Sequence, residues 1–407
     1  MVSYEEAIQL ILKNTPNQLG VKSLSLFNSL GYALAYNVYS KEDIPPFKIS
    51  LIDGYAVKSE DLVQCNEDNP KELKLISVEK FEDYFKLKIK EGEAIKVYRG
   101  YYIPQGVNAI VEKEYVKEKG NKIIVYKSVK FGENIAEKGY EIKKNQIIAK
   151  SGEILVPSLI GLIAKSGHAK IKVFRKPKIY LVITGDEIVS PGRKLSEGKV
   201  WDSISYLIFS ALRMDGFINI DWHRTGNNIT KFMKVIKEAL QYSDFIIISG
   251  GMFLEESDYL VNILENMGIN RIFWGINVKS VKSLYFGTYE NKPVFILTGK
   301  PASDLICYYE FIRPALLKSS GIKEIFLKEI EAKLTENLKG QYGVTDIFFG
   351  KLFYRNEYYV EIQKEHNFLL MPYIHSNCLV INDKGEISKG EKIKVHILPK
   401  VDTISLI

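Results

Sequence analysis

Three short apolar runs in the middle of the chain each end in a glycine turn. Continuous apolar runs of this kind are typical of parallel strands that are buried on both faces of a sheet. Glycine lets the backbone approach a ligand closely, and ligands bind outside the carboxyl ends of such strands. We therefore expect three neighbouring turns that form a binding floor for an anionic, phosphorylated molecule. The runs cover residues 179–183, 245–248 and 294–297, and the turns contain Thr184-Gly185, Ser249-Gly250-Gly251 and Thr298-Gly299.

Segments with helical periodicity alternate with these runs. Helices that alternate with apolar strands predict a parallel sheet joined by right-handed crossovers. Residues 175–320 are therefore assigned to a central α/β domain. Its predicted helices cover residues 204–214, 230–241, 257–267 and 302–318.

The chain before this domain contains helical pattern at two places. Ser3 and Glu6 form a capping box, which predicts a helix at the start of the chain. Further helices are predicted over residues 25–30 and 157–166. These segments are assigned to one discontinuous helical and linker domain, comprising residues 1–47 and 133–174.

Two other regions are rich in β pattern. Residues 48–132 alternate or are β-rich between Gly, Asn and Pro, which predicts an inserted β domain. Residues 321–407 predict a small C-terminal β domain. The predicted strands of the insert are 73–78, 85–89, 94–98, 109–112 and 123–126. Those of the C-terminal domain are 326–334, 346–352, 358–362, 378–381 and 392–398.

The composition narrows the class of protein. The chain has 407 residues, of which 46% are hydrophobic and 26% charged, so several globular domains are expected. Three widely separated cysteines, an acidic start without a signal-peptide pattern and no long apolar run favour a cytoplasmic protein that does not enter a membrane. The net charge of +7 could attract an anion, but lysines interleaved with glutamates argue against nucleic acid. Many Lys, Glu, Ile and Tyr residues with few Met and Cys hint at a thermophile.

The sequence argues against two common kinds of catalytic site. The five histidines show no zinc-ligand spacing, and no Cys-x-x-Cys pair is present. No Ser-His-Asp pattern or G-x-S-x-G elbow is found either.

Asp186 and Glu187 follow a strand and a glycine, and such carboxylates suit Mg²⁺ together with substrate phosphates. The alternative for both is a loop or helix-initiating acid.

A series of short motifs runs along nearly the whole chain. Residues 43–47 contain a proline turn, the signature Ile52-Asp53-Gly54-Tyr55-Ala56-Val57 follows, and Tyr98-Arg99-Gly100 comes later. The remaining motifs are Thr184-Gly185-Asp186-Glu187, Ser249-Gly250-Gly251 with Asp258-Tyr259, Lys279 with Lys282, residues 297–301, and Asn377. In this order they resemble the molybdopterin molybdenumtransferase family, also known as the gephyrin E-domain family, whose M-D-G-Y-A-V signature and M-T-G segment are similar to the motifs at 52–57 and 98–100.

This resemblance implies an elongated four-domain subunit that is usually a homodimer, with a site between the two subunits. There adenylated molybdopterin receives molybdate and AMP is released, with Mg²⁺ assisting. Molybdopterin adenylyltransferase or molybdoenzymes would be possible protein partners. The resemblance implies catalytic roles for Asp53, Glu187, Asp258 and Lys279, and metal binding by Asp186, Glu187 and Asp258. It implies substrate binding by Thr184, Gly185, Asp186, Ser249, Gly250, Gly251, Lys282, Thr298, Gly299, Lys300, Pro301 and Ser303.

Each of these polar residues also has an ordinary structural interpretation. Asp53 suits a turn aspartate that accepts from its own backbone, and Asp258 suits a helix start. Lys279 and Lys282 suit a solvated charge pair, or point charges that hold oxyanion oxygens. Lys300 precedes a predicted helix, where an anion would compensate the unfavourable helix dipole.

Several positions depart from the family pattern. Asn227 and Asn228 stand where two aspartates are expected, Arg99 replaces a threonine, and Val344 and Phe349 replace two arginines. These departures support an alternative function, a catalytically impaired paralogue that binds molybdopterin or a protein partner. The sequence leaves open whether the oxyanion is molybdate or tungstate.

Overall fold

The computed structural model describes residues 1–77, 84–250, 257–363, 369–399 and 405–406, with the backbone alone at 257–259, 372 and 405–406. No helix within these ranges combines the length and the apolar character that crossing a bilayer requires. The α-helices are α1 (Tyr4–Lys13), α2 (Pro157–Lys165), α3 (Ile204–Met214), α4 (Ile229–Tyr242), α5 (Ser257–Asn266), α6 (Pro301–Cys307) and α7 (Arg313–Ser319).

The strands fall into a mostly β first part, a central α/β part and a β last part. The first part contains β1 (Val21–Ser25), β2 (Val38–Tyr39), β3 (Ile49–Ser50), β4 (Gly54–Val57), β5 (Lys71–Ile76), β6 (Glu93–Val97), β7 (Ala109–Glu112), β8 (Val116–Lys119), β9 (Lys122–Val125), β10 (Ile135–Ala136), β11 (Ile147–Ala149) and β12 (Lys170–Phe174). The central part contains β13 (Ile179–Thr184), β14 (Ile188–Val189), β15 (Val200–Trp201), β16 (Ile220–Arg224), β17 (Phe245–Gly250), β18 (Asn270–Trp274), β19 (Tyr285–Tyr289) and β20 (Lys292–Ile296). The last part contains β21 (Lys328–Leu334), β22 (Asp346–Arg355), β23 (Glu357–Ile362), β24 (Cys378–Asn382), β25 (Lys392–Ile397) and β26 (Ser405–Leu406).

The first part of the chain leads out to an inserted sheet and returns. Three antiparallel two-stranded ladders, β1 with β12, β2 with β11 and β3 with β10, join the outgoing and returning segments. Between β3 and β10 lies a six-stranded sheet in the order β7-β4-β6-β5-β9-β8. The predicted insert therefore exists as its own sheet, while the predicted domain limits stay a prediction.

The central part is a three-layer α/β arrangement. Its sheet has the order β16-β13-β17-β20-β19-β18, in which β16, β13, β17 and β20 pair in parallel. Helices α4 and α5 cover one face, and α3, α6, α7 and α1 cover the other. Every residue of β13 and β17 is buried, which explains why their sequences are continuous apolar runs.

The C-terminal sheet closes on itself, because β23 pairs with both β21 and β22. A buried polar network joins this sheet to the rest of the chain. The Tyr4 hydroxyl donates to Glu310 Oε2 at 2.5 Å, and the ring of His396 lies between two carboxylates. Its Nδ1 is 3.0 Å from Glu310 Oε1, and its Nε2 is 3.4 Å from Glu329 Oε2. The network connects α1, the segment between α6 and α7, and strands β21 and β25.

Four predictions from the sequence pattern need correction. Residues 25–30 form only a short 3₁₀ turn (Leu26–Asn28), because Ser25 still pairs in β1 and little chain remains before Gly31. The predicted strand at 85–89 is a turn with a single bridge at Lys88. The predicted helix over 302–318 is interrupted by a π-helical segment (Tyr308–Ile312). The central sheet is not wholly parallel, because β19 runs antiparallel to β18 and β20.

Candidate functional site

The three glycine turns lie side by side at one edge of the central sheet, as the sequence predicts. In the parallel register Ile183 is opposite Ser249, and Thr184 is opposite Gly250. On the other side of β17, the amide of Leu297 donates to the carbonyl of Ile248 at 2.8 Å. The carboxyl ends of β13, β17 and β20 therefore form one continuous edge.

Two of the glycines allow the turns to contact one another. A Cβ atom on Gly250 would lie 1.9 Å from the carbonyl oxygen of Thr184, and its φ is +143°. A Cβ on Gly299 would lie 2.8 Å from the carbonyl oxygen of Gly250. Side chains cannot be placed at such distances. The sequence predicts glycines where the backbone approaches a ligand closely. In the structure, Gly250 and Gly299 allow the backbones of neighbouring turns to approach each other.

The turn after β20 is organised by Asp304, which has no exposed surface. Its Oδ1 accepts hydrogen bonds from the Thr298 amide at 2.9 Å, the Thr298 hydroxyl at 2.8 Å and the Gly299 amide at 3.1 Å. Its Oδ2 accepts from the hydroxyl of Ser249. Several donors that the sequence assigns to a substrate thus bind an internal carboxylate. Asp304 lies in α6 and reaches both turns only in the folded chain, so no sequence pattern indicates it.

Burial raises the pKa of Asp304 to about 6, although the hydrogen bonds from Ser249, Thr298 and Gly299 act in the opposite direction. Removal of the carboxylate from water penalises its charged form more than the four donors favour that form. The carboxyl group of Asp304 is therefore easier to protonate than that of an exposed aspartate.

The neighbouring residues at the start of α6 also have structural contacts. The Lys300 amide donates to the Thr298 hydroxyl at 3.2 Å, and Pro301 occupies the first turn of the helix. The hydroxyl of Ser303 donates to the carbonyl of Ser280 at 2.6 Å. Ser303 thereby ties α6 to the segment that carries Lys279 and Lys282.

A cavity of about 480 Å³ lies at the carboxyl ends of β13 and β16, and we call it the edge cavity. Asp186 is exposed at its wall, where Oδ1 accepts from the amide of Asn227 at 2.9 Å. The carboxylate of Glu187 folds back over Gly185, within 3 Å of where a Cβ would lie. The other lining residues are Ile188, Trp222, His223, Arg224, Thr225, Gly226 and Lys231.

Two cationic side chains of the edge cavity were not indicated by the sequence analysis. Arg224 Nη2 donates to the hydroxyl of Ser190 at 3.0 Å, and its Nη1 is buried without a hydrogen-bond partner in the described part of the chain. Lys231 is exposed in the first turn of α4, and this first turn contains no acidic residue. Strand β16, which carries Arg224, is a half-exposed edge strand without an apolar run, so the hydrophobic pattern gives no signal for it.

A second cavity, of about 460 Å³, lies between the central sheet and the C-terminal sheet, and we call it the lysine cavity. Its wall carries three exposed lysines, Lys279, Lys282 and Lys339, and one buried carboxylate, Asp346. Lys279 Nζ lies 3.3 Å from Asp346 Oδ2, although the Lys279 side chain is 74% exposed. This cavity has an excess of positive charge that suits an anion.

The carboxylate of Asp346 is held less acidic than usual. Burial raises its pKa, and the nearby charge and hydrogen bond of Lys279 only partly offset that effect. Backbone contacts fix the two sides of the cavity, since the amide of Lys279 donates to the carbonyl of Thr345 at 2.9 Å. Asn277 Nδ2 donates to the carbonyl of Gly343 at 2.6 Å.

The remaining predicted site residues lie elsewhere or outside the described residues. Asp53 is exposed in the loop before β4, and its Oδ1 accepts from the Arg99 amide at 2.9 Å. This contact joins two segments of the family signature, but Asp53 lines neither cavity. Gly251 and the side chain of Asp258 are outside the described residues.

The described residues do not fit a metal site formed by the protein alone. Within the described ranges, no group of three or more His, Cys, Asp or Glu side chains could hold a metal ion. Asp186 and Glu187 are adjacent carboxylates, but Asp186 Oδ1 already accepts from Asn227. We therefore derive no chemical step through Mg²⁺.

Two family models match consecutive parts of the chain. Residues 2–167 match the MoeA N-terminal region (domain I and II), and residues 180–318 match a probable molybdopterin binding domain. These ranges cover the linker and insert and the central α/β part.

Individual relatives match over most of their length. A putative molybdopterin biosynthesis protein of Methanocaldococcus jannaschii is 30% identical over 80% of this chain and 79% of its own. A molybdopterin molybdenumtransferase of Haemophilus influenzae is 27% identical over 97% of this chain and 98% of its own. The crystal structure of a molybdopterin biosynthesis MoeA protein from Pyrococcus horikoshii superposes with a TM-score of 0.80 at 26% identity, covering 98% of this chain and 99% of that one. The motifs, the fold and these matches agree, and the chain belongs to the molybdopterin molybdenumtransferase (MoeA) family.

Proposed function

We propose that this protein is a molybdotransferase of molybdenum cofactor biosynthesis, which inserts molybdate, or tungstate, into adenylated molybdopterin and releases AMP. The observation that carries the proposal is the lysine cavity, in which three lysines surround a space next to one carboxylate. A tetrahedral oxyanion needs such a cluster of point charges. The names of the relatives are consistent with this reaction.

The lysine cavity suggests how the oxyanion would be held. Lys279 is mostly exposed and pairs with Asp346 across 3.3 Å. An arriving oxyanion would compete with Asp346 for this ammonium group, and Lys282 and Lys339 would add charge from the same wall. Burial raises the pKa of Asp346, so its carboxyl group takes up a proton more readily than an exposed aspartate would when the oxyanion engages Lys279. The chemistry is therefore mainly positioning and electrostatic stabilisation.

The edge formed by the three glycine turns would hold the pterin part of the substrate. Thr184 contributes a buried hydroxyl oxygen that has no hydrogen-bond partner in the described part of the chain. Asp186 offers carboxylate oxygens at the wall of the edge cavity. A role for Mg²⁺ remains a prediction from the resemblance, and EDTA in the reconstitution assay tests it.

A homodimer would complete the site. Asp53 lies in the insert, and neither cavity of the same chain includes it. A second copy would bring this carboxylate to the central domain of its partner. The test is subunit complementation, in which Asp53→Asn and Lys279→Gln are inactive alone and regain part of the activity when mixed. Light scattering that shows a monomer, or mixtures that stay inactive, would contradict the shared site.

The function can be tested by reconstitution with adenylated molybdopterin and molybdate, with AMP release as the readout. Lys279→Gln and Lys282→Gln should lower AMP release at limiting molybdate at least tenfold. Lys384→Gln removes an exposed lysine from the turn after β24 that does not line the lysine cavity, so it should behave as wild type. Parallel reactions with tungstate and with EDTA decide the oxyanion and the need for a divalent ion.

A second candidate function is a binding module that holds molybdopterin or a partner such as molybdopterin adenylyltransferase or a molybdoenzyme. The observation that favours it is the pair Asn227 and Asn228, two neutral side chains at the start of α4, where the backbone amide of Asn227 donates to Asp186 Oδ1 and Asn228 caps the helix. A protein that binds molybdopterin but releases no AMP would support this function and exclude the first.

A further inference from the structure

The buried contacts of Tyr4, Glu310, Glu329 and His396, which we call the His396 network, contain charge that the proposed reaction does not use. The side chain of Glu310 is only 4% exposed, and that of His396 is 15% exposed. Each ring nitrogen of His396 faces a carboxylate. Nδ1 lies 3.0 Å and 3.1 Å from the two oxygens of Glu310, and Nε2 lies 3.4 Å from Glu329 Oε2. Both nitrogens donate only in the imidazolium form, so the geometry suits a charged ring.

The elements packed around His396 favour that charge. Glu310 faces the ring from the π-helical segment, Glu329 faces it from β21, and the paired position on β24 is the apolar Leu379. Burial lowers the pKa of His396, but the hydrogen bonds and charges of the two glutamates outweigh that effect and leave the pKa raised. Burial and the charge of Glu310 also raise the pKa of Tyr4, so its hydroxyl keeps its proton and donates to Glu310.

The network contacts the central wall of the lysine cavity through the start of the chain. Met1, three residues before Tyr4, lines the cavity. The carbonyl of Val2 accepts from the amide of Asn277 at 2.8 Å, and Lys279 follows two residues later. One short stretch of chain therefore connects Glu310 and its tyrosine partner to the segment that carries Lys279.

The network also contacts the C-terminal wall of the cavity. His396 lies in β25, which pairs with β24, and β24 pairs with β22, where Asp346 is opposite Asn382. The two walls meet where the amide of Lys279 donates to the carbonyl of Thr345. Because His396 belongs to the C-terminal sheet and Glu310 to the central part, their ion pair bridges the two bodies that form the cavity.

We propose that His396 is a positioning residue of the lysine cavity. Its imidazolium ring, between Glu310 and Glu329, holds the C-terminal sheet against the central sheet and thereby sets the distance between Lys279 and Lys339, which line the cavity from the two parts. This inference rests on the proposed function for the role of the cavity as the oxyanion site. A ring that loses its proton leaves one nitrogen without a hydrogen in front of a carboxylate, and the contact weakens.

The resulting change is a shift of the walls and not a separation. Ile347 and Leu379 of the C-terminal sheet belong to the apolar core of the central part, so the two sheets stay in contact. Since the pKa of His396 is raised in the folded state, the contribution of its charge is complete below pH 6.5 and is lost as the pH rises through the raised pKa. The cavity should therefore be well ordered at pH 6 and less so at pH 8.5.

Hydrogen exchange of the full-length protein, read by mass spectrometry and corrected for the intrinsic pH dependence, tests this directly. The reporters are the amide of Lys279, which donates to Thr345, and that of Thr345, which donates to Asn277 at 3.3 Å. Their protection in wild type should fall about fivefold from pH 6 to pH 8.5, and in His396→Gln it should change by less than about twofold. Asp346 is present in both proteins, so its own titration cancels in the comparison.

A second variant separates this role from a merely structural one. Glu329→Gln removes a half-exposed carboxylate that raises the pKa of His396, so the midpoint of the protection change should move to lower pH. Glu331→Gln is the matched control, because Glu331 lies on the same strand and contacts Lys392 at 3.3 Å instead of His396. The inference is wrong if the midpoint is the same in Glu329→Gln and Glu331→Gln, or if wild type and His396→Gln show the same pH dependence.

The molybdate assay keeps this inference apart from the proposed function. The Michaelis constant for molybdate should rise about fivefold from pH 6 to pH 8.5 in wild type and less than about twofold in His396→Gln. Protection that follows His396 in a protein that releases no AMP refutes only the transferase. AMP release whose Michaelis constant for molybdate depends on pH equally in wild type and His396→Gln refutes only the positioning role.

Discussion

The most informative single substitution is Asp304→Asn, which removes a buried charge and keeps the shape of the side chain. The oxygen of asparagine can still accept from the amides of Thr298 and Gly299, and its nitrogen can donate to the oxygen of Ser249. The hydrogen-bond geometry of the two turns should therefore survive. What disappears is the titration of a carboxylate that has no exposed surface.

The size of the effect follows from the pKa. Burial raises the pKa of Asp304 from 3.8 to about 6, so the folded protein binds a proton that the unfolded chain has released. Because a pKa unit corresponds to about 1.4 kcal/mol, this rise corresponds to about 3 kcal/mol. Because the pKa of this acid is higher in the folded state, Asp304 stabilises the fold when it is protonated. Its contribution to stability is complete below pH 3.8 and is lost as the pH rises through about 6.

Urea unfolding of wild type and Asp304→Asn between pH 4 and pH 8 measures this effect directly. From pH 4 to pH 8 the asparagine variant should gain about 2 kcal/mol relative to wild type, because the carboxyl group of Asp304 titrates only in the wild type. Asp221→Asn, at an exposed position on β16, is the control and should change stability by about 0.5 kcal/mol or less. A difference between Asp304→Asn and wild type that stays constant with pH would refute the reasoning, since the four donors would then fully compensate the buried charge.

Three further substitutions test contacts elsewhere in the fold. Burial lowers the pKa of His396, but the hydrogen bonds and charges of Glu310 and Glu329 together outweigh that effect and leave the pKa raised. His396→Gln should therefore lower the melting temperature more at pH 6 than at pH 8.5. Arg313→Leu should cost about 3 to 5 kcal/mol in urea unfolding, because it leaves the 6% exposed carboxylate of Asp215 without its ion pair; a loss below about 1 kcal/mol would contradict this. Gly250→Ala should lower the unfolding free energy by more than 2 kcal/mol, because the added Cβ would lie 1.9 Å from the carbonyl oxygen of Thr184. Unchanged stability would show that the turn can shift.

Local sequence signals predicted much of the fold. Ser3 and Glu6 make both hydrogen bonds of the predicted capping box. The three predicted apolar runs form the neighbouring strands β13, β17 and β20. Strands that are buried on both faces need continuous apolar sequence, so such runs are a direct signal for them. These signals depend on short stretches of chain and therefore survive without knowledge of the tertiary structure.

Contacts between distant segments could be predicted less well from the sequence. Asp304 binds Ser249, which lies 55 positions away, so only the folded chain reveals that the turn already has its own anion. Strand β16 contains Trp222 and Arg224 at the edge of the sheet, where half-exposed residues show no apolar run. Residues 85–89 have β-forming side chains, yet they form a turn at which the rings of Tyr84 and Phe85 contact that of Tyr102.

We propose that this chain transfers an oxyanion to adenylated molybdopterin, and a single-turnover measurement tests this function most directly. Purified protein is loaded with adenylated molybdopterin, molybdate is added, and AMP is measured over time. The account predicts a burst of AMP that requires the oxyanion and is reduced at least tenfold in Lys282→Gln at limiting molybdate. Bound nucleotide that is never released as AMP, or a burst that ignores molybdate, would contradict the account.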